Sequence, residues 1–394
     1  MYETLKQQFH STFGREAAYI FSAPGRTELG GNHTDHQLGR VLAGAVSVDT
    51  VAAVAPNGER LIRVLSQGYP LCTVSLDELE VRPEEFGTTL SLIRGVAAAI
   101  AAGGHKVSGF DACVSSRVLP GSGLSSSAAF EVLIGTIINR LDGCGLDAVR
   151  IAQIGQYAEN VYFGKPCGLM DQMASSVGGI VTIDFADQAH PVVEPLAFDF
   201  AACGHALCIV NSGADHADLT DEYAAIPREM GEVCRVFGKE HLREVDEAEF
   251  LARLPQVRAA AGDRAALRAM HIFDDNRRVG QQVEALKAGD FARFLTLVNE
   301  SGRSSWLYLQ NVVPTGSTRH QELALSLALA SRLLKGRGAC RVHGGGFAGT
   351  FQAFVPHDLL DSFKSGMEAV LGMGSCQVLS IRPQGGVLLE EVKA

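Results

Sequence analysis

The sequence predicts an α+β protein of about two domains with a cleft between them, on three observations. Its 394 residues are too many for one ordinary core. Helix-like and strand-like patterns alternate irregularly in both halves, which fits two mixed layers. Finally, no internal repeat and no low-complexity linker interrupts the chain. Pro195 is a plausible boundary marker, which gives domains over 1–195 and 196–394.

In the first half, 41–54 is an apolar, valine-rich extended run, 61–65 a short strand, and 89–102 a helix stopped by Gly103 and Gly104. The alternation of 110–116 predicts a strand that delivers the chain to a glycine-rich turn. A helix starts near Ser126, another covers 149–160, 178–185 returns as a strand, and 191–200 is strand and connector. The second half is more helical. Helical spacing runs through 223–236, 247–261, 264–288 and 291–309, and 321–334 is a strongly apolar helix. Strands are expected at 340–343, 349–355 and 385–392.

Composition excludes several classes. A net charge of −10 disfavours a sequence-independent nucleic-acid binder, which needs clustered Lys and Arg. The nine cysteines form no CxxC pair, so they read as reduced cytosolic thiols and not as a structural metal site. No secretory segment follows Met1, and no apolar run approaches the roughly 20 residues a membrane helix needs, so a cytoplasmic protein without a membrane partner is expected. Ala214 to Asp218, with His216 and Asp218, lacks a third close ligand and reads as a loop face.

The most informative stretch is Pro120-Gly-Ser-Gly-Leu-Ser-Ser-Ser-Ala-Ala129, directly ahead of an apolar helix. Gly121 and Gly123 let the backbone bend and approach a ligand closely, and the helix that follows aims unpaired N–H groups at an anion. The bland reading is a helix start with serine caps. The stretch is neither a Walker loop nor a dinucleotide fingerprint, because no Gly-Lys-Ser closes it and Ser126 stands where a third glycine would be. Phosphoryl transfer is the chemistry it points to. Three other segments are dense in polar residues: Ala23 to His36, with Arg26, Glu28, Asn32, His33, Asp35 and His36; Cys167-Gly-Leu-Met-Asp-Gln172; and the glycine loop Arg341 to Thr350.

In this order the motifs resemble the GHMP small-molecule kinases. The first resembles the galactokinase branch, whose signature runs Gly-Arg-x-Asn-Leu-Ile-Gly-Glu-His-Thr-Asp-Tyr against Gly25-Arg-Thr-Glu-Leu-Gly-Gly-Asn-His-Thr-Asp-His36 here. The resemblance implies an N-terminal S5-like domain that binds ATP and sugar and a C-terminal ferredoxin-like domain, with substrates at their interface. It places Gly121, Ser122, Gly123, Leu124, Ser125, Ser126 and Ser127 around the triphosphate, and Ser127 (Ser126 as the alternative) with Glu131 at Mg²⁺. Asp171 is the acid beside the reacting hydroxyl and Arg26 its cationic neighbour. Asn32, His33, Asp35, Gly168 and Tyr223 fall on sugar-contacting positions, with Gly344 to Gly346 supporting the same side.

An arginine that close is expected to hold Asp171 ionised. Asn32 and His36 depart from the signature's glutamate and tyrosine, and Glu28 and Gly30 from its asparagine and isoleucine. In the family that glutamate takes the sugar's primary hydroxyl, so Asn32 leaves substrate identity open between galactose and a C6-variant sugar such as galacturonate, or a pentose. The expected activity is ATP-dependent phosphorylation of the anomeric hydroxyl by a monomer or small homo-oligomer. A non-catalytic galactose sensor is the alternative from another class, disfavoured by the intact serines and Asp171. A serine hydrolase lacks its Gly-x-Ser-x-Gly elbow.

Overall fold

The computed structural model describes residues 2–118, 121–214, 219–347 and 349–392. Pro120, His216 and Asp218 of the motifs above lie outside them. After helix α1 (Tyr2–Phe13), strands β1 (Tyr19–Gly30), β2 (Arg40–Pro56), β3 (Leu61–Ser66) and β4 (Cys72–Ser75) lead to α2 (Thr89–Ala102) and β5 (Phe110–Ser116). Then come α3 (Ser126–Asp142), α4 (Ala148–Tyr157), α5 (Met170–Val177), β6 (Ile180–Asp184), β7 (Val192–Leu196) and β8 (His205–Asn211). Helices α6 (Thr220–Val236), α7 (Glu247–Ala252), α8 (Leu254–Lys287), α9 (Phe291–Ser304) and α10 (Glu322–Leu334) follow. The chain ends with β9 (Ala339–Val342), β10 (Thr350–Pro356), α11 (Leu360–Leu371), β11 (Cys376–Leu379) and β12 (Val387–Glu391).

The expected α+β mixture is present as two sheets. The first runs β12-β1-β2-β5-β3-β4, with β6 paired to β2 and β7 to β6; the second runs β11-β8-β10-β9. On the edge away from β1, β2 is long enough to serve two partners: 50–56 pair with β5 and 40–44 with β6. β12 brings the end of the chain back to β1, so the first sheet is closed by residues far beyond 195. The register of β1 against β2 breaks twice, between Pro24 and Arg26 and between Glu28 and Gly30. Such irregularities re-aim side chains, and here they fall on Arg26 and Glu28.

Helices α2, α3 and α4 bury Ile93, Ile134 and Ile151 against Val54, Val64 and Phe110 of the first sheet. α10 and α11 cover the second sheet with Leu327, Ala330 and Phe363. α6, α7 and α8 make their own core around Met230, Phe250 and Ile272. A further cluster joins the sheets: Leu29, Leu42 and Ile180 of the first pack with Val279, Phe294 and Phe354. That contact fixes the β1 end of the first sheet against the second, and the cleft opens beside it.

Three expectations change at their edges. The helix expected over 247–261 is broken at Arg253, where α7 gives way to α8, whereas the boundary expected between 261 and 264 is present as the bend of α8 at Gly262, whose φ is 86°. The helices expected over 149–160 and 291–309 each finish in a wider π turn, Ala158–Phe163 and Ser305–Leu309. These wider turns, a common feature at functional sites, carry Glu159 and Ser305. Among the described residues no helix is long and apolar enough to cross a membrane, and the nine cysteines are unpaired.

Candidate active site

Arg26 is buried on β1 and reaches α5 with a planar fork. Its Nε donates to Asp171 Oδ1 at 2.7 Å and its Nη2 to Asp171 Oδ2 at 2.8 Å. The remaining guanidinium nitrogen donates to Gly123 O, and the Arg26 backbone N–H donates to Leu124 O at 3.0 Å. One side chain thus ties the first sheet, the glycine loop and the first turn of α5. Burial pushes the Asp171 carboxyl up, but the Arg26 charge, its hydrogen bonds and the Ser125 hydroxyl outweigh this and hold it below the ordinary aspartate value. Asp171 remains half-buried and open on one side.

The glycine loop takes the form its residues demand. Gly121 and Gly123 have φ of 74° and 70°, and a Cβ on Gly123 would stand 1.9 Å from Thr350 Oγ1. Ser125, also left-handed at 57°, precedes α3 but gives its N–H groups no side-chain cap; its hydroxyl donates to Asp171 Oδ2 instead. The N–H groups of the first turn of α3 therefore face the loop uncapped by Ser125, an arrangement that suits an anion. Beside Ser126 and Ser127 lies a cavity of 750 Å³ walled by Tyr69, Leu92, Val114, Phe130 and Phe163. It has the size and apolar lining of a small-molecule site.

The acid that meets Ser127 is Glu159, which the sequence reading did not name. Ser127 Oγ donates to Glu159 Oε1 at 2.9 Å, and Lys165 Nζ donates to the same oxygen at 3.2 Å. Glu131 lies behind: Gln172 Nε2 bridges it to Glu159, donating at 2.9 Å to Glu131 Oε2 and at 2.8 Å to Glu159 Oε2. Burial, then the neighbouring Glu159 charge, raises the Glu131 carboxyl well above its ordinary value, and its Oε1 has no hydrogen-bond partner. Glu131 thus lies one helical turn from Ser127 but behind Glu159, on the side of α3 that meets Gly155 of α4 and Gln172 of α5. The signal that could have revealed Glu159 was an acid in the last turn of the predicted 149–160 helix.

On the opposite wall, Asp35 opens a short 3₁₀ turn (Asp35–Gln37) and is half-buried. Gly168 is small because Asp35 leans on it: a Cβ there would lie 1.8 Å from Asp35 Oδ2. Tyr223, from α6, donates its hydroxyl to Gly346 O at 3.0 Å and lies against Gly345, so it supports the second glycine loop.

Two residues expected at the sugar make their contacts here within the protein. Asn32 is fully buried. Its Nδ2 donates to Glu28 Oε1 at 3.0 Å and to Gly344 O at 2.7 Å, and its Oδ1 accepts from Asn311 Nδ2 at 2.8 Å. Its polar atoms are spent on joining the two sheets' loops, so it presents none to a ligand. Glu28 in turn pairs with Arg341, itself wholly buried. His33 also faces protein, with Nε2 3.0 Å from Gly345 O and Nδ1 3.1 Å from His36 Nε2. His343, Arg341 and Glu28 make up the buried frame that sequence reasoning did not assign: the Glu28 backbone N–H donates to His343 Nε2 at 3.1 Å.

Residues 7–56 match the galactokinase galactose-binding signature and residues 91–179 the GHMP kinases N terminal domain. The first 179 residues thus carry the galactose-binding signature of galactokinases and the N-terminal domain of GHMP kinases. Among solved structures it is similar to Lactococcus lactis galactokinase complexed with galactose, at 25% identity and a TM-score of 0.83, over 98% of this chain and 100% of that one. The Methanococcus jannaschii mevalonate kinase shares the fold at 14% identity and a TM-score of 0.66, over 94% of this chain and 100% of that one. A D-glycero-D-manno-heptose 1-phosphate kinase from Bacteriodes thetaiotaomicron does so at 14% and 0.63, over 95% and 99%. The architecture is therefore the mixed α+β GHMP kinase fold, as the resemblance implied.

Proposed function

We propose that this protein transfers the γ-phosphoryl of ATP to the anomeric hydroxyl of galactose or a closely related sugar. The observation that carries the reading is the Arg26–Asp171 fork set against the Ser125 loop. Phosphoryl transfer needs mainly positioning and charge neutralisation, and the fork supplies both. Asp171, kept ionised, accepts a hydrogen bond from the attacking hydroxyl and takes its proton as the new O–P bond forms. Arg26 orients that carboxylate and adds positive charge where the transferring phosphoryl develops negative charge.

Uncapped N–H groups at the start of α3 and the hydroxyls of Ser126 and Ser127 suit the phosphates, and the apolar cavity beside them suits the base. A divalent cation fits the chain's donors: the Ser127 hydroxyl and Glu159 carboxylate meet at 2.9 Å, both hard oxygens of the kind Mg²⁺ takes alongside phosphate. When bound there, Mg²⁺ would neutralise phosphate charge. Lys165 holds Glu159 in place from the open side. Asp35 is the carboxylate that the 32–37 turn presents for sugar hydroxyls, and Gly168 makes room for it.

A sensor reading has no support, because the acid, the arginine and the serines stand assembled. With Asn32 turned inward, the observation that opened the choice between galactose and a C6 acid no longer bears on it. The test is sugar-dependent ADP release over galactose, galacturonate, galactosamine, arabinose and glucose with folded protein and Mg·ATP. Release with galactose supports the reading, and no release with any of the five sinks it.

A further inference from the structure

His33 occupies a left-handed backbone conformation at φ 61°, which L side chains rarely adopt unless their surroundings hold them there. Its imidazole crosses that of His36 nearly edge-on, with ring centroids 5.3 Å apart. The hydrogen-bond partners at the two ends of this pair settle which nitrogen carries each proton.

At one end, Gly345 O can only accept, so His33 Nε2, 3.0 Å away, is the protonated nitrogen. In a neutral ring Nδ1 is then bare and accepts from His36 Nε2 at 3.1 Å. His36 Nδ1 is bare in turn and accepts from Gln37 Nε2 at 3.3 Å. At the other end the Leu242 backbone N–H donates to Gln37 Oε1 at 3.0 Å, which turns the amide nitrogen, not the oxygen, toward His36. The carbonyl and the backbone N–H thus fix one direction independently: Leu242 to Gln37 to His36 to His33 to Gly345.

We infer that His36 is a positioning residue of the sugar site, donating to His33 Nδ1 and so orienting the ring whose Nε2–H ties the 32–37 turn to the Gly344–Gly346 loop. The kinetic part of this inference rests on the proposed sugar kinase activity; the tautomers do not. Gly345 O is also held by Asn311 Nδ2 at 3.2 Å, and Gly345 itself lies against the Tyr223 ring, so the tether sets a loop that Tyr223 supports from outside. A proton added to either ring would turn an acceptor into a donor and break the chain. Burial, then the opposing ring, lowers the His33 value, with Asp35 acting upward and His271 downward; burial lowers His36 to about 4, with His241 acting the same way.

The test is a two-bond ¹H–¹⁵N correlation spectrum of the whole, sugar-free protein labelled at histidine, with His33→Phe and His36→Phe used to assign the two rings. Both rings should show the neutral Nε2–H pattern from pH 7 to pH 5. In His36→Phe the His33 Nε2 should keep its proton against Gly345 O while the Nδ1 nitrogen, having lost its donor, shifts toward the value of an unbonded imine nitrogen, and His36→Gln, which keeps a donor and an acceptor, should restore the parent shift. With galactose as the probe, His36→Phe should raise KM about tenfold while kcat changes less than about threefold, the pattern of lost positioning.

An Nδ1–H pattern on either ring, or His33 signals indifferent to His36→Phe, overturns the inference. A KM equal to the parent's removes its role at the sugar site. If His36→Phe does not fold, the parent spectra and His36→Gln decide: Gln must preserve the His33 pattern. Expected tautomers in a parent that releases no ADP with any sugar would leave the positioning standing and sink the kinase reading.

Discussion

Arg26 grips both carboxylate oxygens of Asp171, at 2.7 and 2.8 Å, across 145 positions of sequence. Two parallel bonds fix the plane of the carboxylate as well as its charge. Asp171→Ala should therefore lower kcat at least about 10²-fold with a smaller change in sugar affinity, since a general base typically contributes 10²–10⁴. Arg26→Lys should also be slow, because an ammonium cannot supply the fork. Steady-state kinetics on the active sugar checks both, and a near-parental kcat in Asp171→Ala would remove it from the chemistry.

Glu159 meets the Ser127 hydroxyl directly, and Glu131 stands one bridge further back through Gln172. Glu159→Gln should raise the KM for Mg·ATP about tenfold or more and shift the Mg²⁺ dependence upward, because it removes a charged oxygen donor beside Ser127. Glu131→Gln should change these values little, since burial and Glu159 already push that carboxyl toward its neutral form. Titrating activity against Mg²⁺ in both variants decides it, and the reverse order would return the metal to Glu131.

Much of the fold was legible because its signals are local. The 89–102 helix and the 110–116 strand appear as expected, and the family resemblance, not any local pattern, set Arg26 beside Asp171 before any distance was known. What the sequence hid was contact between distant segments. Nothing near Asn32 announces that Asn311 and Gly344 will take its amide, and nothing near Ser127 shows that the π turn after α4 delivers Glu159. Strands β8 and β11 and helix α11 went unread, and β1 was seen only as a polar motif. Its length is buried on both faces, so no alternation marks it.

Gly168→Ala should act on the sugar and not on ATP. The added methyl would meet Asp35 Oδ2 at 1.8 Å, so the carboxylate must move. The expected outcome is a rise of about tenfold or more in sugar KM with Mg·ATP KM within about twofold, as for a lost binding contact. Equal changes in both would mean the cleft itself has shifted.

Histidine burial predicts an acid-sensitive fold. Burial is the leading cause that lowers His33, His36, His271 and His343 in the folded protein, His36 to about 4 from an ordinary value of 6.5. Below 6.5 the unfolded chain takes up protons that the folded chain refuses, so stability is full above that pH and falls as pH drops toward 4. Asp171 works lower, its contribution being lost only as pH falls through its depressed value. Urea midpoints from pH 7.5 to 4.5 should decline across this window, and a flat profile would mean the rings are not held neutral.

The last prediction concerns Glu28 and Asn32, where the chain has exchanged the signature's residues: amide then acid in the family, acid then amide here. The two side chains touch, Asn32 Nδ2 donating to Glu28 Oε1 at 3.0 Å, and Arg341 pairs with the acid from its other side. Asn32→Glu alone would bury a second carboxylate against the first, and Glu28→Asn alone would leave Arg341 buried without its partner. Each should destabilise strongly, on the order of 3–5 kcal/mol for a broken buried pair. The double exchange keeps one acid, one amide and one arginine in the same frame, so it should cost less than either single change. Urea unfolding of the four proteins measures this directly as a coupling term. Additive losses would show that Glu28 and Asn32 do not act as one unit, and the exchange would then need another explanation than a conserved charge moved by one side chain.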